Sequence, residues 1–254
     1  MSAGRAGLLL LCCFCAFAVP AGEIAPPSTT QAETAGVTTR IRVVTDNNYP
    51  PFVFLDADGK PRGYEIDRWR LFEQHTGIHV DLEPMDWASA QRELLAGRAD
   101  VIDMIFRTPA RDSLYDFSAP YATLPVSIFV DRRIRGVVDV QSLRGFPVGV
   151  ERGDACVERL HAAGITDLKE FAGYSDMIQA ATHGDTRILC MDEYPADFYL
   201  YRHDALDHFY KAFVLYTGQF HWAVRKGNGA MLARVEQGMA KITPAELTAL
   251  RHRW

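Results

Sequence analysis

The sequence has no apolar run long enough to cross a membrane. Its conspicuous hydrophobic stretch, Leu8 to Val19, falls well short of the ~20 residues that a spanning helix needs. It also lacks a basic excess. Lys and Arg number 27 against 32 Asp and Glu, a formal charge of −5, which argues against a nucleic-acid or anionic-membrane partner. Cysteine is scarce, with 5 in 254 residues, and three of them (Cys12, Cys13, Cys15) sit inside the apolar run. Beyond that run there is no Cys-x-x-Cys, so no cysteine framework for a metal exists, and neither metal nor cofactor is expected. No composition bias marks a disordered, collagen-like or coiled-coil chain, since 48% of residues are hydrophobic and 23% charged. The length allows one large domain or two modest ones, enough to bury a substantial core.

The first residues differ from the rest. Arg5 precedes the apolar run, and Ala16-Phe17-Ala18 offers a small-x-small cleavage site. This predicts a secretory signal peptide over residues 1–18. A lipoprotein reading is disfavoured, because Leu11, Cys12 and Phe14 stand where a lipobox needs a small residue before the cysteine. Residues 19–39 are rich in Ala, Pro, Ser and Thr without apolar periodicity, and are expected to form a flexible tether. The remaining cysteines are Cys156 and Cys190. They predict either one disulfide, worth roughly 3–4 kcal/mol for a loop of about 35 residues, or two buried thiols.

The body opens with the β-branched strand Ile41 to Thr45 and the turn Asp46-Asn47-Asn48. A helix is predicted from Tyr64 with Ile66, Trp69 and Phe72 on one face and Gly77 just past its end. A strand at Val80–Leu82, a helix at Ala88–Ala96 and a strand from Val101 follow. The alternation returns with a strand at Pro147–Val150, a helix after Gly153-Asp154, a strand at Leu168–Phe171, a helix at Met177–Ala181 and a strand at Ile188–Met191. Such alternation predicts α/β structure with parallel strands, in two units in series. Paired units of this kind place a ligand crevice outside the carboxyl ends of their strands.

Four groups fall just past strand ends: Asp46 with Tyr49, Asp103 to Arg111, Glu151 to Ala155, and Asp192 with Glu193. Together they supply an aromatic face, a guanidinium, a helix start and several carboxylates. A zwitterionic amino acid requires those parts. Its carboxylate suits a bidentate Arg and backbone N–H groups, its ammonium suits a carboxylate, and its side chain suits a stacking surface. Singly each residue has a plainer reading. Tyr49 before Pro50-Pro51 can be a packed turn residue, and Asp192 can cap the helix expected near Pro195.

The ordered stretches TDNNYPPFVFLDADGKPRGYEIDRW, LLAGRADVIDMIFRTPARDSLYDFSAPY, LRGFPVGVERGDACVERL and RILCMDEYPADFYL resemble the family 3 bacterial extracellular solute-binding proteins over residues 41 to 254. The resemblance implies a two-lobed type II periplasmic binding fold, a Venus flytrap that binds without chemistry. By motif, Tyr49 becomes an aromatic wall and Arg111, closing Thr108-Pro109-Ala110-Arg111, the carboxylate binder. Asp154 and Ala155 lend backbone N–H groups, Asp192 takes the ammonium, and Asp46 faces the ligand side chain. Asp46 beside Tyr49 favours a basic ligand such as arginine. The family usually carries small hydroxyl residues and glycine before Thr-x-x-Arg. This chain instead has Asp103-Met104-Ile105-Phe106-Arg107, which brings Asp103, Phe106 and Arg107 into the candidate site.

The stretches DVIDMIFRT, GQFHWAVRKGN and ITPAELTALRHRW are similar to binding domains fused ahead of sensor kinases and cyclic-di-GMP enzymes. The implied location is the periplasm, as a free binding protein or the ectodomain of an inner-membrane protein. The implied partner is a transporter or a membrane signalling module. The fold's two crossings are expected near Ala122–Val126 and Thr217–Trp222, so that lobe 1 is 40–124 plus 219–254 and lobe 2 is 125–218. Cyclohexadienyl dehydratases, which act on arogenate or prephenate through acidic residues in the same cleft, provide the alternative.

Overall fold

The computed structural model describes residues 39–254. The expected signal peptide (1–18) and the tether up to residue 38 lie outside the described residues, while the carbonyl of Thr39 already accepts a hydrogen bond from the His79 N–H at 2.8 Å.

The first unit runs β1 (Arg40–Asp46), a small hairpin sheet of β2 (Asn48–Tyr49), β3 (Val53–Leu55) and β4 (Pro61–Arg62), then α1 (Tyr64–Thr76), β5 (His79–Met85), α2 (Trp87–Leu95) and β6 (Val101–Phe106). β7 (Tyr115–Phe117) and the long β8 (Ala122–Asp131) lead out of it. The second unit runs β9 (Val148–Glu151), α3 (Ala155–Ala162), β10 (Leu168–Phe171), α4 (Tyr174–Thr182), β11 (Ile188–Asp192) and α5 (Glu193–Arg202). The chain returns through β12 (Phe209–Arg225) to α6 (Gly229–Met239) and α7 (Pro244–Arg253).

β1 pairs in parallel with β5 and β6, and β9 in parallel with β10 and β11, as the βαβ rhythm predicts. The joining strands do not follow that rule. β8 and β12 pair antiparallel with one another, with β11 and with β6, giving the continuous order β10-β9-β11-β8-β12-β6-β1-β5. The β8–β12 ladder spans Phe209↔Asp131 to Phe220↔Ala122; it contains residues 122–126 and 217–220 of the expected crossings, while His221 pairs with Ile105 on β6. Register shifts interrupt it at Lys211/Phe213 and Val214/Tyr216. An extra residue of this kind bends and twists a strand pair.

Local chemistry sets the elements that carry the site. Gly63 at φ 129° begins α1 because a Cβ there would meet the Phe52 carbonyl oxygen at 2.1 Å. α1 buries Ile66, Trp69 and Phe72, the predicted stripe, and ends at Gly77 in the left-handed conformation. Asp86 caps α2 by accepting from the Ser89 N–H at 3.0 Å, and Asp154 caps α3 by accepting from the Cys156 N–H at 2.6 Å. Thr243 and Glu246 form a capping box on α7. Cys156 on α3 and Cys190 on β11 are joined as a disulfide, with a Cα–Cα distance of 6.2 Å. This bond locks the helix start that faces the cleft to the strand ending at Asp192. Among the described residues, no helix is long and apolar enough to cross a membrane.

Candidate functional site

β1, β6, β9 and β11 aim their carboxyl ends at one small, buried pocket. Asp46, Tyr49, Phe106 and Arg111 enter it from the first unit, and Asp154 and Asp192 from the second. Glu151, Trp87 and Met104 complete much of the lining. The space open to the centre of a water molecule is only about 20 Å³, enough for about one water. A larger ligand enters only when the two units part.

Asp192 occupies the N-cap position of α5, yet its side chain makes no capping bond. One carboxylate oxygen instead accepts from the Tyr49 hydroxyl, and the other, buried, has no partner. The capping reading therefore loses to a carboxylate held for something else. The Tyr49 ring is fixed by Phe52, Tyr174 and Phe220, with centroids 5.5–5.9 Å away. Arg111 is 4% exposed. It donates to the Phe106 carbonyl at 2.7 Å and to the Gly153 carbonyl at 2.8 Å, across the cleft. Trp87 Nε1 and Gln91 Nε2 donate to the same Gly153 oxygen at 3.1 and 3.0 Å. Gly153, at φ 76°, is thus a three-donor latch, and a Cβ on it would stand 2.8 Å from Gln91 Nε2.

Four carboxyl groups share this pocket with one guanidinium. Burial is the first cause lifting all four above the usual carboxylate range: Asp46 to about 7, Asp154 upward, and Glu151 and Asp192 far upward. Their mutual repulsion adds to the shifts. Asp46 and Glu151 are both buried and line the same small pocket from opposite units, an arrangement that disfavours both being charged at once. Tyr174 and Tyr49 are pushed well above 10 by burial and by the neighbouring carboxylates.

Other predicted residues go elsewhere. Asp103 turns away from the pocket, accepting from Trp69 Nε1 at 2.7 Å and the Tyr121 hydroxyl at 2.6 Å in the interior of the first unit. Its neighbour Met104, at φ 57°, reaches the pocket in its place. A non-glycine residue in that region is uncommon, and it marks the departure from strand geometry at this point. Arg107 is exposed and pairs with Asp112 at 2.7 Å. With Ala155 it lines a wider outer cavity of about 640 Å³, which Phe106 also reaches. The Asp154 backbone N–H, expected to be free, donates to the Glu151 carbonyl at 3.1 Å, and the Asp154 carboxylate accepts from the Cys156 N–H. Asp154 thus brings a carboxylate to the site rather than a free donor.

Trp87 and Tyr174 were not among the sequence candidates, while Glu151 and Gly153 fell within the group Glu151 to Ala155 without a role of their own. Glu151 directly follows the predicted strand Pro147–Val150, and the observed strand extends to include it. Trp87 carried no signal, because its bond to the Gly153 carbonyl joins residues far apart in the chain. His75 and His79 stand four apart, but Gly77 breaks the helix between them. Their rings go to different carboxylates, Glu246 and Glu73. Among the described residues no group of three His, Cys, Asp or Glu is placed to hold a metal ion.

Two α/β lobes joined by a paired-strand bridge, with a buried polar pocket between them, define a periplasmic-binding-type ligand trap. The profile of the bacterial extracellular solute-binding proteins, family 3, matches residues 41–254. The chain belongs to that family. The L-cystine-binding protein TcyJ of Escherichia coli (strain K12) is 28% identical over 215 residues, covering 82% of this chain and 80% of its own. A histidine kinase sensor domain with similarity to periplasmic binding proteins superposes with TM-score 0.78 at 26% identity, over 85% of this chain and 95% of its own. An ancestral arginine-binding protein bound to glutamine gives TM-score 0.73 at 25% identity, over 85% and 97%.

Proposed function

We propose that this protein captures a small amino acid with a basic side chain between its lobes and closes on it. The observation that carries this reading is the pairing of Arg111 and Asp192 on opposite sides of one pocket. Arg111 suits the ligand carboxylate, with N–H donors beyond the two already used. The unpartnered oxygen of Asp192 suits the α-ammonium, and Tyr49 and Phe106 flank the side chain. Asp154 orients the helix start beside Arg111. The excess of carboxylates over guanidinium favours a basic ligand over an acidic one. The relatives lend support, since their names cite cystine, arginine and glutamine. Asp103 and Arg107 stand outside this inner set, and Ala155 is at its edge.

Lobe 1 would comprise residues 40–124 plus 219–254 and lobe 2 residues 125–218, with the β8–β12 bridge as the hinge. A ligand touching Arg111 and Asp192 binds the closed form more tightly than the open one, and that difference alone shifts the equilibrium. Closure brings Gly153 under its three donors. The closed form is then read by a membrane transporter or a signalling module in the periplasm, and no bond of the ligand is made or broken. A thermal-shift panel of amino acids, polyamines and small carboxylates tests the reading. A basic amino acid well above its Kd should raise stability by several kcal/mol. No shift with any amino acid refutes it.

A further inference from the structure

Zwitterion recognition leaves two carboxyl groups unaccounted for. Arg111 and Asp192 match the α-carboxylate and α-ammonium, and Asp154 is held by the N-terminus of α3. Asp46 and Glu151 remain. Asp46, on β1 of one lobe, accepts from the Asn48 N–H at 2.9 Å. Glu151, on β9 of the other, is 2% exposed, and its Oε1 has no donor within reach. Both line the inner pocket. Closing the lobes brings these two carboxyl groups together, away from water. Two buried carboxylates cannot meet without something positive between them. Only a proton or a cation meets that need.

On the basis of the amino-acid reading above, we infer that Glu151 is a specificity-determining residue. It and Asp46 clamp the cationic end of the ligand side chain, which replaces the proton they otherwise share. A neutral side chain leaves the proton in place and gains nothing from the clamp. The two members sit on different lobes, so the gain arises only on closure, which makes the distal charge part of the closing force. The other groups bearing on the pair are the carboxylates of Asp154 and Asp192, and the hydroxyls of Tyr174 on α4 and Tyr199 on α5. None of these is a cation. Arg111, the one cation in the described lining, holds its Nε 3.6 Å from the Glu158 carboxylate and its charge acts on Asp154.

Arginine and citrulline test the inference, because they share shape and differ in charge at the tail. Calorimetry at pH 7 should give the unaltered protein at least about a tenfold preference for arginine, as expected for a buried charge-assisted contact. Glu151→Gln should reduce that ratio to about threefold or less, with citrulline affinity held within about threefold. Asp46→Asn should narrow it likewise from the other lobe. Titrations in buffers of different ionisation enthalpy should show a proton released with arginine and none with citrulline. An unmoved ratio in both variants, or no proton release with arginine, overturns the inference. So does loss of citrulline binding in both variants, which would give the pair to the fold rather than to the ligand tail. Failure of the unaltered protein to bind either probe refutes the amino-acid reading instead.

Discussion

Raising the pH from 5 to 8 should destabilise the ligand-free protein, against the usual behaviour of acidic groups. Asp46 has its pKa lifted from 3.8 to about 7, mainly by burial. Between those values the folded protein keeps a proton that the unfolded chain has lost. Stability is therefore fully present below 3.8 and is lost as pH rises through about 7. Each pH unit in that window costs up to ~1.4 kcal/mol per proton. From pH 5 to 7, with the group half-titrated at the upper end, this amounts to about 2 kcal/mol, or roughly 4–8 °C in Tm for a chain of this size. Parting of the lobes rehydrates the carboxylates and sets the upper limit of the effect. Glu65, buried in the first lobe and lifted to about 8, acts in the same sense. His203 and His221, lowered by burial, act in the opposite sense near their ordinary 6.5. The paired surface acids Asp56, Asp81, Glu93 and Asp112 are lowered, so their contributions are complete above about pH 5. Circular-dichroism melts at constant ionic strength, with Asp46→Asn beside the unaltered chain, isolate the Asp46 share. The variant should melt with a shallower pH slope. A Tm that is flat or rising from pH 5 to 8, or an identical slope in Asp46→Asn, would refute the reasoning.

Arg111→Ala should weaken arginine binding by tenfold or more in calorimetry, since it removes charge-assisted bonds from a buried site. Unchanged affinity would remove the carboxylate role. Asp192→Asn should weaken arginine far more than 5-guanidinopentanoate, which lacks the α-amino group; equal losses would contradict the ammonium role. Alkylation of the unreduced protein should leave Cys156 and Cys190 unlabelled by mass. Cys190→Ser should lower stability by about 4 kcal/mol in denaturant titrations, the loop-closure value for this separation.

The order of elements was legible from the sequence because it rests on local rules. The Tyr64 helix with its Ile66-Trp69-Phe72 stripe and Gly77 stop and the strand–helix alternation are each set by neighbours within a few residues. Tyr49, Arg111 and Asp192 were legible for a related reason: they sit at strand ends, and strand ends in α/β lobes face the crevice. Asp103 was placed in the site on the same logic, and the twist at Met104 turned it inward to Trp69 and Tyr121. The sequence did not carry the antiparallel β8–β12 bridge, because that pairing joins residues some 80–100 positions apart. For the same reason it left the Cys156–Cys190 bond open.

By itself, then, the sequence determined the two α/β units, the family and the candidate residues past the strand ends, since periodicity and motif order are properties of the linear chain. Only the tertiary structure decided which carboxylates are stranded. Whether Asp46, Glu151 and Asp192 are hydrated acids or buried ones, with oxygens of Glu151 and Asp192 left unpartnered, depends on the tertiary packing, and burial has no signature along the chain.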